Sequence, residues 1–82
     1  MARNNMTIRA YEEKIFAKGN GEFVRTIPTR GHRAPYIGFI KTTLGEAEVS
    51  SDSKILFETL VSGTEITEEE YNNAELDVVN DL

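Results

Sequence analysis

The hydrophobic residues of this chain change their period near residue 50, and this change predicts an α+β fold. Before it, the segments Glu22 to Ile27, Tyr36 to Thr43 and Glu46 to Ser50 alternate apolar and polar residues, as strands do. After it, apolar residues recur at helical spacing in two stretches between residues 54 and 79. We therefore expect a small antiparallel sheet of three to four strands, followed by two helices packed on one face of the sheet.

Local signals set the bounds of both helices. One of Ser51, Asp52 and Ser53 caps the first helix, and Gly63 follows its last turn. Thr67 and Glu70 have the spacing of a capping box at the start of the second helix. We expect that helix to run to about residue 79.

The segment between residues 7 and 18 allows two interpretations. Ile8, Tyr11 and Ile15 have helical spacing. However, Asn20-Gly21 suits the tight turn of a hairpin, and the segment after that turn has strand character. We favour a strand for residues 7–18, with a helix as the alternative.

The length and the absence of cysteine restrict the class of protein. A chain of 82 residues without Cys excludes a disulfide framework, a thiolate zinc site and an iron-sulfur cluster. We expect one domain over residues 6–82 behind a flexible tail of residues 1–5. A homodimer is a further expectation, because so short a chain gains core by pairing.

No apolar stretch is long enough for a membrane span or a signal peptide, so we expect a cytoplasmic protein.

The charges are separated along the chain. The formal net charge is -5, but residues 1–41 hold eight basic and three acidic side chains, a net of +5. Residues 42–82 hold one basic and eleven acidic side chains, a net of -10. Such asymmetry raises the odds of a nucleic-acid partner for the basic half. Alternatively, the two halves fold together and their charges cancel in surface ion pairs.

The basic half contains the candidate nucleic-acid site. Cations can neutralise phosphates, and exposed aromatic rings can stack on unpaired bases, so RNA or a single strand is the expected ligand. The alternative is that the aromatic residues are core and the arginines belong to a solvated loop. The candidate residues are Arg25, Arg30, His32, Arg33, Tyr36, Phe39 and Lys41.

The acidic half contains a candidate protein-binding site. Its second helix could dock in a groove of a basic partner, as in an inhibitor or adaptor of phage type, or it could fold back over the basic half as an internal competitor. The simplest alternative is a solvated helix face. The candidate residues are Glu68, Glu69, Tyr71, Glu75 and Val78.

An enzymatic function has little support in the sequence. His32 is the only histidine, and a ribonuclease-like centre would have to combine it with Arg30 and with Glu22 or Glu46. We expect a binding or regulatory protein with no catalytic residues, no metal and no cofactor.

Overall fold

The computed structural model describes residues 6–30 and 34–74 and has α+β architecture. The sheet contains five antiparallel strands, one more than the upper end of the expected range, because a short strand forms between the two predicted helices. The elements in chain order are α1 (Met6–Arg9), β1 (Ile15–Gly19), β2 (Glu22–Pro28), β3 (Tyr36–Thr42), β4 (Gly45–Val49), α2 (Lys54–Ser62), β5 (Thr64–Glu65) and α3 (Glu68–Asn73).

The first four strands form a meander, in which each strand pairs with the next one along the chain. The sheet order is β4-β3-β2-β1-β5, so β4 and the two-residue β5 are the edges. Asn20 and Gly21 turn the chain from β1 into β2 with φ angles of 43° and 81°, as the sequence predicts. This left-handed conformation is open to Gly and tolerated by Asn, which is why this pair suits the turn.

The segment of residues 7–18 is only partly a strand. A helical turn comes first, and the strand begins at Ile15. The prediction of a strand from residue 7 was therefore wrong. The helix forms because Met6 and Ala10, four residues apart, are both fully buried on one side, whereas Ile8 of the periodic pattern is exposed.

The core lies between α2 and one face of the sheet. Leu56 and Leu60 of α2 are fully buried there against Ile15, Ala17 and Val24. Gly38 of β3 lies directly beneath Leu56, where a Cβ atom would overlap the leucine side chain. Within residues 6–30 and 34–74, no helix has the length and apolar character needed to cross a membrane.

The bounds of α2 agree with the sequence signals. The Ser53 hydroxyl accepts a hydrogen bond from the Leu56 N–H at 3.3 Å, so Ser53 is the N-cap. Gly63 follows the helix and donates its N–H to the Thr59 carbonyl at 2.8 Å. A Cβ at Gly63 would collide with the carbonyls of Lys18 and Thr59, so a close backbone approach explains this glycine.

The start of α3 also agrees with the sequence, but its end does not. The Thr67 hydroxyl accepts from the Glu70 N–H at 3.0 Å, and the Glu70 carboxylate accepts from the Thr67 N–H at 2.8 Å, which completes the predicted capping box. The helix ends at Asn73 rather than near residue 79, because Ala74 has an extended conformation with φ -67° and ψ 140°.

The two predicted helices lie differently on the sheet. α2 packs on the core face, as expected. The chain then runs along the edge of β1 as β5, and the Ile66 N–H donates to the Phe16 carbonyl at 2.8 Å. Beyond this point α3 brings Tyr71 against Phe16, whose side chain alternates with the buried Ile15 and Ala17. Tyr71 therefore lies on the sheet face opposite α2.

We call this second face the open face. Strand alternation and the pairing register assign to it Phe16, Lys18, Phe23, Arg25, Ile27, Ile37, Phe39, Lys41, Glu46 and Glu48.

Candidate nucleic-acid interface

Aromatic and cationic side chains alternate across the open face. Phe16 of β1 pairs with Arg25 of β2, which pairs with Phe39 of β3. In the neighbouring row, Lys18 pairs with Phe23. The three phenylalanines are each partly exposed. The face therefore presents aromatic rings that are separated by positive charges.

Arg25 lies at the centre of this face. Its Nε and Nη2 donate to the two carboxylate oxygens of Glu46 at 2.7 and 2.8 Å. Its guanidinium carbon lies 4.1 Å from the centroid of the Phe39 ring, within cation–π range. The hydrogen bonds from Arg25 lower the pKa of Glu46 from 4.5 to about 2, and the same contact raises the pKa of Arg25. Arg25 is thus fixed by an ion pair and by an aromatic contact.

Tyr71 of α3 contacts the same group of residues. Its side chain is 1% exposed, and its hydroxyl donates to Glu46 Oε2 at 2.6 Å. The Tyr71 ring lies 5.4 Å from the Phe16 ring at an interplanar angle of 56°. Burial, followed by the hydrogen bond to Glu46, raises the pKa of Tyr71. Tyr71 therefore joins α3 to strands β1 and β4 of the open face.

Lys41 joins β3 to the end of α3. Its Nζ donates to the carbonyls of Asn72 and Ala74 at 3.3 and 3.1 Å. The same ammonium lies 5.1 Å from the centroid of the Tyr71 ring. A cation suits this position because the last carbonyls of a helix lack partners within the helix and carry partial negative charge.

An open depression lies between α3 and the sheet. Its volume is about 770 Å³, and Lys14, Phe16, Arg25, Lys41 and Tyr71 are among the residues that line it. Three of these five side chains are cationic. Glu46 and Glu68 also line the depression, so its border carries charges of both signs.

The structure brings together only some of the predicted nucleic-acid-binding residues. Arg25, Phe39 and Lys41 share the open face. Arg30 lies beyond the end of β2, with a φ of 46°, and donates to the Glu12 carbonyl at 2.8 Å. Tyr36 is 4% exposed and lies on the core face, since it alternates with Phe39 along β3.

Two of the predicted residues cannot be placed. His32 and Arg33 lie outside the described residues. His32 is also the histidine of the ribonuclease-like alternative, so that centre cannot be assembled from the described residues. Glu46 interacts with Arg25 and Tyr71 rather than with Arg30.

The predicted protein-binding residues are also divided. Glu68 and Glu69 are exposed in the first turn of α3, whereas Tyr71 is buried. Glu75 and Val78 lie outside the described residues. Of this set, only the two glutamates present their side chains to solvent in the described part of the chain.

Sequence reasoning missed Phe16, Lys18 and Phe23 of the open face and Lys14 of the neighbouring depression. Lys14, Phe16 and Lys18 belong to the segment that was expected to be one continuous strand. The available signal was the alternation of Phe16 with the small or apolar Ile15 and Ala17, which assigns Phe16 to the opposite face once β1 is known to begin at Ile15.

Comparisons with known proteins add no relatives. Neither protein-family models, nor curated proteins, nor solved structures gave a match to this chain. Within the described ranges, no three His, Asp or Glu side chains are grouped so that they could hold a metal ion.

Proposed function

We propose that the protein binds single-stranded nucleic acid, with RNA as the preferred form, on the open face of its sheet. The observation that carries the proposal is the alternation of Phe16, Arg25 and Phe39 across three neighbouring strands, with Lys18 and Phe23 paired beside them. Stacking on an aromatic ring contributes about 1 to 3 kcal/mol per base, and cations release counterions from the phosphates.

The geometry of the face favours a single strand over a duplex. Neighbouring strands of a sheet lie about 4.8 Å apart, so the backbone positions of Phe16 and Phe39, two strands apart, are separated by about 10 Å. A single strand crossing the sheet can place unstacked bases on such rings, whereas the bases of a duplex are already paired and stacked. In addition, α3 carries three glutamates in its first turn and is unsuited to enter a DNA groove.

The acidic border of the open face makes the proposed binding moderate in strength. Glu46 and Glu48 of β4 lie on the same face as Phe39 and Lys41. Their charges repel a phosphate backbone along that edge. We therefore place the path of the strand over β1, β2 and β3, where Lys18 supplies a cation and Arg25 is held by Glu46.

The alternative of a protein-interaction module has weaker support. Of its two apolar candidates, Tyr71 is buried against Phe16, and Val78 lies outside the described residues. A docking residue must be accessible to its partner. Homodimer formation and a cytoplasmic location remain predictions that accompany the proposal.

The test measures binding of a fluorescently labelled oligouridine by anisotropy at several salt concentrations. The substitution Lys18→Ala should weaken binding and should reduce the slope of log affinity against log salt by about 0.7. Lys54→Ala is the matched control, because Lys54 lies on α2, on the opposite side of the sheet. Phe39→Leu, which keeps apolar volume but removes the ring, should weaken binding about fivefold or more.

Two outcomes would overturn the proposal. One is no detectable binding at low salt. The other is an equal loss of affinity for the Lys18 and Lys54 variants, because a site on the open face requires the Lys18 variant to be the weaker binder.

A further inference from the structure

We infer that the place occupied by Tyr71 is a nucleotide subsite of the open face, and that α3 keeps this subsite closed until a strand displaces it. The inference rests on the proposed function and concerns the regulation of the same site. Its first basis is the position of the Tyr71 ring, which lies 5.4 Å from Phe16 on a face whose other rings are partly exposed. The two rings are tilted by 56° and are not stacked face to face, and a nucleobase that replaces Tyr71 can lie flatter against the Phe16 ring.

The second basis is that oxygen atoms of the protein already accept hydrogen bonds from the cationic side chains of the face. Lys41 holds two carbonyl oxygens at the end of α3, whereas the fork of Arg25 holds the carboxylate of Glu46, which belongs to β4 and stays in place when α3 opens. Carboxylate and carbonyl oxygens are acceptors of the kind that a phosphate presents. The ring of Tyr71 and the carbonyl oxygens at the end of α3 thus occupy Phe16 and Lys41, the two groups that would receive a base and its phosphate.

The third basis is the weak attachment of α3. The helix has six residues, and Tyr71 is its only buried one. A helix this short is not stable in isolation, so its order depends on the capping box and on the contacts of Tyr71 and Lys41. Segments with few buried contacts open at a lower free energy than the whole domain. The main core cluster consists of residues of the α1 segment, the meander and α2, and it includes no residue of α3.

Opening of α3 exposes Phe16 and frees Lys41 from the helix carbonyls. The apparent affinity for a strand is then the intrinsic affinity multiplied by the fraction of molecules in which α3 is open. A change that loosens α3 without touching the open face should therefore tighten binding.

The experiment compares two variants of equal charge in the same anisotropy assay. Glu70→Ala removes the carboxylate that accepts from the Thr67 N–H, whereas Glu69→Ala removes an exposed neighbouring carboxylate. Both lower the repulsion of phosphates by one charge. We expect the Glu70 variant to bind the oligouridine about fivefold more tightly than the Glu69 variant, a ratio that corresponds to about 1 kcal/mol of lost capping.

A third variant tests the subsite directly. Tyr71→Ala should bind more tightly still, and circular dichroism establishes whether it remains folded. If the Tyr71→Ala variant does not fold, the inference is decided by the affinities of the Glu70→Ala and Glu69→Ala variants alone. Equal affinities of these two variants, with the wild-type protein binding, would overturn the inference but leave the proposed function standing. Absence of binding by every variant would overturn both.

Discussion

Glu46 is the residue through which Arg25 and Tyr71 are connected, and its loss should weaken the fold by a predictable amount. The substitution Glu46→Gln keeps the size of the side chain and removes its charge. The pKa of Glu46 falls from 4.5 to about 2 on folding. This shift limits the contribution of the ionised carboxylate to the free energy of unfolding to roughly 3 kcal/mol at neutral pH. The side chain is 29% exposed, and solvent screening reduces the expected loss to about 1 to 2 kcal/mol.

The loss of stability caused by Glu46→Gln should depend on pH in a defined direction. Because the pKa of Glu46 is lower in the folded state, the ionised carboxylate contributes its full stability above pH 4.5 and loses that stability as the pH falls toward 2. At pH 3, roughly 40% of the contribution should remain. The difference in free energy of unfolding between the wild-type protein and the Glu46→Gln variant should shrink in proportion.

Urea unfolding followed by circular dichroism measures this difference at pH 7, 5 and 3. Glu48→Gln is the matched control, because Glu48 lies two residues along the same strand and forms no ion pair with the described residues. Its substitution should change the free energy of unfolding by less than about 0.5 kcal/mol. A difference for Glu46→Gln that is the same at pH 7 and pH 3 would refute the reasoning.

Two glycine substitutions test the packing and the turn. Gly38→Ala should lower the free energy of unfolding by about 1 to 3 kcal/mol, because the new Cβ overlaps the Leu56 side chain. In urea unfolding, the double variant with Leu56→Ala should lose less than the sum of the single losses, and strict additivity would contradict the contact. Gly21→Ala should cost about 1 to 2 kcal/mol through its φ of 81° alone, since no atom lies within 4 Å of the added Cβ. Thermal unfolding measures this cost, and an unchanged melting temperature would show that the turn relaxes.

The features that could be predicted from the sequence depend on residues that are close together in the chain. The Asn20-Gly21 turn and the capping box of Thr67 and Glu70 each involve a few consecutive residues. The alternation in β2, β3 and β4 likewise indicates which side chains share a face. Alternation places Phe39 and Lys41 on one face of β3, but the register between β2 and β3 is needed to add Arg25 to that face and to exclude Tyr36 from it.

The features that could not be predicted depend on contacts between distant segments. Met6 and Ala10 are buried because α2 covers them, and no local signal distinguishes them from the exposed Ile8. Tyr71 has the spacing of an ordinary core residue in a helix. Its position on the open face follows from the pairing of β5 with β1, which carries the chain around the edge of the sheet.

The pairing of β5 with β1 also has a consequence for the order in which the domain assembles. Strands β1 to β4 pair with their immediate neighbours in the chain, whereas Lys18 and Thr64, which pair at the edge, are 46 positions apart. Contacts between distant residues form late, because the entropy of closing the intervening loop must be overcome first. During synthesis from the N-terminus, the meander therefore emerges and can pair before residues 64–74 are available. The newly made sheet has its aromatic face uncovered, and the segment that covers it is the last of the described parts to arrive.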